Sequence, residues 1–392
     1  MRPGSFQPSV IELSASALKH NLRFIRRHLP PGAVFSSVIK GNAYGHGIGV
    51  FVPLAESCGV RHFSVFGADE ALATWNARTE DSELMIMGWL DSAAVEWAVE
   101  QGIAFWVFDV ERARQALGAA TRTRRPARIH LELETGFNRT GLDGAELDAV
   151  LDLVAAHPSR LAVEGICTHL AGAESAANHQ RIRQQIESFE RFSGALRQRG
   201  LNVGRRHAAC SAAIFAYPET VLDLVRCGIA QYGFWPSTEI RMRWALQHEP
   251  DRPRMGRDAL RRVMKWRSRV MAVRDVAPGQ FVGYGNSYLT TRHQRIAAVP
   301  VGYTHGFARN LSNLGHVLVQ GRQAQVVGTV NMNMMLVDVT DLPGVQPGNE
   351  VVIIGKQGRL AITVSSFSDM TRNLNYEVLV RIPSEIPRVI VD

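Results

Sequence analysis

Between Ser14 and Arg226 the chain alternates short apolar, often β-branched stretches with longer helical patterns, and this rhythm limits the fold more than any other feature. The pattern predicts strands over 34–39, 62–67, 84–88, 104–108, 128–133, 162–168, 206–210 and 222–226. Helices fall between them. After Ser14, the residues Leu18, Leu22, Ile25 and Leu29 recur at helical spacing. Over 180–196, Ile182, Ile186, Phe189, Phe192 and Leu196 form one apolar stripe. About eight strand–helix units in roughly 235 residues predict an α/β fold, a (β/α)8 barrel of the TIM type. A doubly wound open sheet has the same local rhythm. The polar residues Lys40, His169, Ser211 and Arg226 all fall at or just past the C-terminal ends of predicted strands. A barrel builds its site on that face, whereas an open sheet concentrates it at one switch point. The barrel is the better reading.

After Pro236 the character changes. Residues 12–237 are read as the barrel, 238–265 as a basic insertion and 266–392 as a mostly β domain, with residues 1–11 expected to pack with that domain. Short Val/Ile-rich runs separated by Pro278-Gly279, Pro343-Gly344 and Pro347-Gly348 mark the last part. The chain carries 44 Lys plus Arg against 36 Asp plus Glu, and the stretch 241–269 alone holds nine Arg and one Lys. No nucleic-acid motif accompanies this cluster, so a solvated insertion is preferred to a nucleic-acid surface. With 46% hydrophobic and 20% charged residues, the composition is that of a soluble globular protein. No apolar run approaches the roughly 20 residues of a membrane helix, and the N-terminus lacks the apolar core of a secretory signal. Cys58, Cys167, Cys210 and Cys227 are widely spaced, which predicts reduced thiols, no metal site and a cytoplasmic protein.

The sharpest local signal is Val38-Ile39-Lys40-Gly41-Asn42-Ala43-Tyr44-Gly45-His46-Gly47. A lysine ending an apolar strand is costly to bury unless it is deprotonated or bonded, and a Schiff base with a cofactor aldehyde meets that need. A surface lysine in a glycine-rich turn fits this stretch equally well. The following Gly45-His46-Gly47-Ile48-Gly49 is not a dinucleotide fingerprint.

This stretch resembles the cofactor-lysine motif of the alanine racemases, fold-type III pyridoxal-phosphate enzymes with a barrel and a C-terminal β domain. The resemblance continues in order through Thr135-Gly136-Phe137-Asn138-Arg139-Thr140-Gly141, Thr168-His169-Leu170, Ser211-Ala212-Ala213 and Val225-Arg226-Cys227-Gly228-Ile229. It resumes with Gly283-Tyr284-Gly285, Val299-Pro300-Val301-Gly302-Tyr303 and Asn375-Tyr376-Glu377-Val378. Only 241–264 lies outside it.

The resemblance implies a two-base racemase of alanine using pyridoxal 5'-phosphate. Lys40 would hold the cofactor and act as base on one face of the substrate. Tyr284, from the partner subunit of a head-to-tail homodimer with shared sites, would act on the other. Tyr44, Ser211, Gly228, Ile229 and Tyr376 match positions that hold the phosphate, and His169 matches the ring-packing imidazole. Arg226 matches the residue facing the pyridine nitrogen. Its guanidinium stays protonated and so would leave that nitrogen unprotonated, which would restrain side reactions such as transamination. Arg139, Met332 and Tyr303 match substrate-binding positions. The implied product would serve as a cell-wall precursor, although catabolic use of alanine is equally compatible.

Three departures bear on specificity. Glu132 stands where many relatives carry a carbamylated lysine beside the arginine matched by Arg139. Asn331-Met332-Asn333 replaces Cys-Met-Asp, and His305 replaces an aspartate. Serine or a broader substrate range is therefore an alternative to alanine, and a decarboxylase of the same two-domain plan a more distant one. A cofactor carrier would lack both the β domain and a base like Tyr284.

Overall fold

A computed structural model describes residues 8–248, 258–372 and 374–392. The described residues form two compact units. One comprises 18–40 and 52–261, and the other comprises those before 18, together with 41–51 and 262–392.

Strand β1 (Val10–Ser14) belongs to the second unit. The first unit is built on β2 (Val34–Val38), β3 (His62–Val65), β4 (Glu83–Ile86), β5 (Ala104–Val107), β6 (Ala127–Glu132), β7 (Leu161–Cys167), β8 (Arg205–His207) and β9 (Leu224–Cys227). These run in the order β8-β7-β6-β5-β4-β3-β2-β9, every ladder parallel. The seam between β8 and β9 is joined by Asp223 N–H to the Arg206 carbonyl at 3.1 Å and Arg226 N–H to the Ala209 carbonyl at 3.0 Å. Sequential neighbours with β9 returning beside β2 make a nearly closed barrel; a doubly wound sheet would reverse its order part way.

The barrel interior is unusually polar for parallel strands, which ordinarily read as aliphatic runs. Ser36 and Ser64 share a 2.5 Å hydrogen bond, His62 Nδ1 meets Ser36 at 2.9 Å, and His130 Nδ1 meets His207 Nε2 at 2.9 Å. The first helix, Ala15–Arg26, buries Leu18, Leu22 and Ile25 as expected but ends before Leu29. Leu29 precedes Pro30, and a residue before proline is driven out of the helical region.

The basic insertion is more ordered than a wholly solvated segment. Thr238–His248 form a helix with Ile240 buried. The Trp244 indole donates to His28 Nε2 at 3.0 Å and lies edge-on to Phe24, while Trp235 donates to Asp258 at 2.6 Å. Arg241 and Arg243 face solvent; Arg252, Arg254 and Arg257 lie outside the described residues.

The second unit carries β10 (Met264–Arg269), β11 (Ala272–Val276), β12 (Gln294–Val299), β13 (His316–Val319), β14 (Arg322–Gln325), β15 (Met335–Asp338), β16 (Glu350–Gln357), β17 (Leu360–Ile362) and β18 (Arg388–Val391). Its larger sheet runs β14-β13-β16-β10-β1-β18, with β17 on β16, and its smaller sheet runs β11-β12-β15. Strand β1 pairs antiparallel with β10 and parallel with β18. The Asp392 carboxylate accepts from the Ser16 N–H at 3.2 Å and from the Ser14 and Ser16 hydroxyls, capping the start of the first helix. No helix among the described residues is long and apolar enough to cross a membrane.

Candidate active site

At the C-terminal end of β2, Ile39 N–H still reaches the Ser64 carbonyl at 2.9 Å, and Lys40 follows. Part of the Lys40 side chain remains accessible, yet surrounding protein desolvates its ammonium and holds its pKa below the ordinary lysine range. The Arg139 and Arg226 charges push the same way, with Glu70 opposing. A lysine near several cations gives up its proton more readily than one in water, which makes it both a nucleophile and a base.

Arg226, within β9, points into the barrel and is buried. Its Nη1 donates to His207 Nδ1 at 2.5 Å and to the His207 carbonyl at 2.9 Å. Its Nη2 donates to the carbonyls of Thr168 at 2.7 Å and Ala208 at 3.3 Å. The guanidinium also lies over the Trp106 ring, 5.2 Å from its centroid. Burial pulls His207 well below the usual imidazole pKa and His130 down to about 3, so both rings are neutral. His207 therefore accepts from Arg226 on Nδ1 and donates from Nε2 to His130. Among the described residues no acceptor meets the Arg226 Nε–H.

His169 lies two residues past β7, its pKa lowered to about 3 by burial and by Arg226, Arg139 and Lys40. Its ring sits 5.5 Å from Phe137, and the Arg139 guanidinium lies 4.3 Å from the same phenyl centroid. Glu132, the last residue of β6, is buried rather than facing solvent. It accepts from the Thr140 hydroxyl at 2.8 Å and stands 4.0 Å from Arg139. Burial raises its carboxyl above the usual range, while Thr140 and Arg139 oppose that shift.

Ser211 opens the short helix Ser211–Ala216 after β8. Its oxygen accepts from the N–H groups of Gly228 at 2.9 Å and Ala230 at 3.4 Å, which brings Gly228 and Ile229 against it. The donor set of this unit thus comprises an amine of lowered pKa, a buried guanidinium with one N–H unengaged, a neutral imidazole, and a hydroxyl beside loop N–H groups. These residues fit an anionic aldehyde cofactor.

In the second unit, the turn beginning after Lys40 is left-handed. Gly41, Asn42, Ala43, Tyr44 and Gly45 all have positive φ, between 51° and 76°, and Gly45 N–H bonds the Gly41 carbonyl at 2.9 Å. Holding three consecutive non-glycine residues there costs about 1–2 kcal/mol each. Such a cost persists where the surroundings impose it. The turn brings the Tyr44 ring 5.9 Å from that of Tyr376, at the start of helix Asn375–Val380.

Tyr284, Tyr303 and Met332 occupy neighbouring loops of this unit. Tyr303 N–H donates to the Asn331 carbonyl at 3.0 Å, Thr304 N–H to the Met332 carbonyl at 3.1 Å, and the Thr329 hydroxyl to the Tyr284 carbonyl at 3.4 Å. All three are exposed, at 74% for Tyr284, 42% for Tyr303 and 54% for Met332. His305 Nδ1 accepts the Gly302 N–H at 3.1 Å, and Asn333 donates to Thr304 at 3.1 Å, so both departures serve local loop structure.

Two glutamines escaped the sequence reading. Gln231 accepts from Ser37 at 2.7 Å and donates to the carbonyls of Val38 and Cys227, tying the end of β2 to β9. Gln185 accepts from Ala171 N–H at 2.8 Å and donates to the His169 carbonyl at 2.9 Å. The detectable signal for Gln185 was a polar residue among the apolar positions of its helix. Gln231 had none.

Residues 13–236 match the family described as "Alanine racemase, N-terminal domain", and residues 263–390 match "Alanine racemase, C-terminal domain". An alanine racemase of Leptospira interrogans is 33% identical over 386 residues, covering 98% of this chain and 96% of that protein. The solved structure of alanine racemase from Streptomyces coelicolor A3(2) superposes with a TM-score of 0.87 at 31% identity, covering 98% of each chain. That of Bartonella henselae, with covalently bound pyridoxal phosphate, gives 0.82 at 25% identity, covering 98% of this chain and 99% of its own.

Proposed function

The chain belongs to the alanine racemase family and interconverts L- and D-alanine with pyridoxal 5'-phosphate; we propose that Lys40 and Tyr284 are its two bases. The observation that carries this reading is the environment of Lys40, an amine at a strand end whose pKa is pulled down by burial and two guanidinium groups.

When bound, the cofactor supplies an electron sink that makes the substrate Cα proton acidic. Lys40 Nζ would hold the cofactor aldehyde and would take or return the Cα proton on one face. The Tyr284 hydroxyl does the same on the other face, so inversion follows from two bases on opposite sides. Tyr44, Tyr376, Ser211, Gly228 and Ile229 would hold the phosphate, and His169 would pack on the ring. Arg226, whose Nε–H meets no acceptor among the described residues, would donate it to the ring nitrogen; being a permanent cation, it would leave that nitrogen unprotonated. Arg139, Tyr303 and the Met332 backbone bind the substrate carboxylate. Glu132 keeps a fixed negative charge beside Arg139.

Tyr284 acts in the partner's site. A base accessible to water over most of its surface cannot protect a carbanionic centre within one protomer. Exposed Phe281 and Leu289 flank it, as expected of a surface covered by a second copy. A cytoplasmic homodimer supplying a cell-wall precursor is the form and role proposed.

The test is incubation of the cofactor-loaded protein with L-alanine in D2O, following chirality and Cα deuteration. Deuterated D-alanine, lost in Lys40→Ala and Tyr284→Phe, supports both bases. Deuteration without inversion in the unmodified protein would reject Tyr284 in its role.

A further inference from the structure

The left-handed turn satisfies its own carbonyls almost completely. The Gly41 carbonyl accepts from Gly45 N–H at 2.9 Å and the Asn42 carbonyl from Gly47 N–H at 2.9 Å. The Ala43 carbonyl accepts from His46 N–H at 3.0 Å, and His46 Nδ1 reaches the carbonyls of Ala43 at 3.1 Å and Tyr44 at 3.0 Å. Burial lowers the His46 pKa to about 4, so this ring is neutral and Nδ1 carries the donated proton. The last carbonyl, that of Gly45, is met from outside the turn by Arg388, through Nη2 at 2.8 Å and Nε at 3.3 Å.

Arg388 also donates to the carbonyls of Pro383 at 2.6 Å, Ile382 at 3.3 Å and Ile386. These lie just beyond helix Asn375–Val380, which carries Tyr376. One guanidinium therefore bridges the turn bearing Tyr44 and the segment leaving the Tyr376 helix. The approach is close: a Cβ on Gly45 would fall 2.0 Å from the Leu379 carbonyl oxygen, and one on Gly47 3.2 Å from Arg388 Cδ. A fork of fixed N–H directions suits this bridge, whereas an ammonium offers one point of charge.

We propose that Arg388 is a positioning residue for the cofactor: by clamping the Gly45 carbonyl to the segment after Tyr376, it fixes the relative placement of the Tyr44 and Tyr376 rings and so sets phosphate affinity. This rests on the reading that those two tyrosines hold the phosphate, and the experiment separates the two ideas. Arg388→Met, Arg388→Lys, Tyr44→Phe and Tyr44→Phe/Arg388→Met are compared as holoenzymes for pyridoxal-phosphate dissociation. Amide hydrogen exchange over 41–51 and thermal unfolding are followed in parallel.

Arg388→Met is expected to speed exchange at the Gly45 and Gly47 amides and to weaken cofactor binding roughly tenfold, the effect of losing charged hydrogen bonds at a binding element. Arg388→Lys should recover only part of this, and the double variant should bind no more than about twofold worse than the weaker single one, as coupled sites do. Unchanged exchange in Arg388→Met overturns the clamp whatever Tyr44 does. Lower thermal stability with intact cofactor affinity overturns it as well, leaving a structural role. Full losses that add in the double variant overturn the route through Tyr44. Wild-type affinity in Tyr44→Phe refutes the phosphate reading itself and takes that route with it.

Discussion

Arg226 Nη1 donates to Nδ1 of His207 at 2.5 Å inside the barrel, a cation anchored by a neutral imidazole and not by a carboxylate. An acid at that position would neutralise the guanidinium; an imidazole orients it and leaves its charge in place. Replacing His207 with Phe removes one acceptor from a buried cation that keeps three carbonyl acceptors. The expected cost is about 1–3 kcal/mol in urea unfolding, with a fall in kcat/KM. His207→Gln, whose amide oxygen can accept, should recover part of both. Equal losses in the two variants would mean that His207 acts through packing alone.

Glu132 places a carboxyl 4.0 Å from Arg139; on the proposed reading it supplies the negative charge there without bound CO2, so activity should be unchanged in CO2-depleted buffer. Glu132→Gln removes the charge and is expected to lower kcat/KM roughly tenfold, since a charge partner at a mostly buried site is lost. Steady-state kinetics with and without bicarbonate provide the measurement. Bicarbonate stimulation of the unmodified protein would count against the role given to Glu132.

Burial holds His46 and His62 at about 4 and His130 and His169 at about 3, all below the unfolded value of about 6.5. Between these limits the unfolded chain binds protons that the folded chain refuses. The corresponding stability is fully present above about pH 6.5 and is lost as pH falls toward 4 and then 3. Glu132, whose pKa is raised, has the opposite sign: its contribution is present at low pH and is lost as pH rises through its folded value. Four groups outweigh one, so urea midpoints should drop between pH 7 and pH 5. Replacement of His62 by Asn should flatten that slope.

Trp244 belongs to the stretch between the two family matches, yet it packs edge-on to Phe24 at 5.2 Å and donates to His28. Trp244→Ala is expected to destabilise by about 2 kcal/mol, as for a large, half-buried ring removed from a cluster. Reversing the exposed charges of Arg241 and Arg243 should change stability by less than about 0.5 kcal/mol. Chemical denaturation of the three variants distinguishes a docked helix from an ornamental one.

The barrel was legible because its strands and helices carry two different apolar periods in regular alternation, and the strand-end polar residues gave the direction of the site. Lys40, Arg226 and His169 could be named for that reason. The left-handed turn could not. Gly41 and Gly45 announce a positive φ, but Asn42, Ala43 and Tyr44 are held there by bonds from His46 and Arg388, and the second of these lies more than three hundred residues away. Leu29 failed for a local reason, the proline after it. The His130–His207 pair was not legible because alternation identifies which residues point inward, not which inward residues find partners.

Strand β1 lies between β10 and β18, pairing Val10 with Arg267 and Ile11 with Arg388. A chain emerging from the ribosome therefore releases its first strand long before either neighbour exists, and all eight barrel strands are made in the interval. The larger sheet of the second unit can be completed only after β18 has been made. During that wait β1 is an unpaired, apolar edge, and folding of the barrel competes with whatever else that edge can capture.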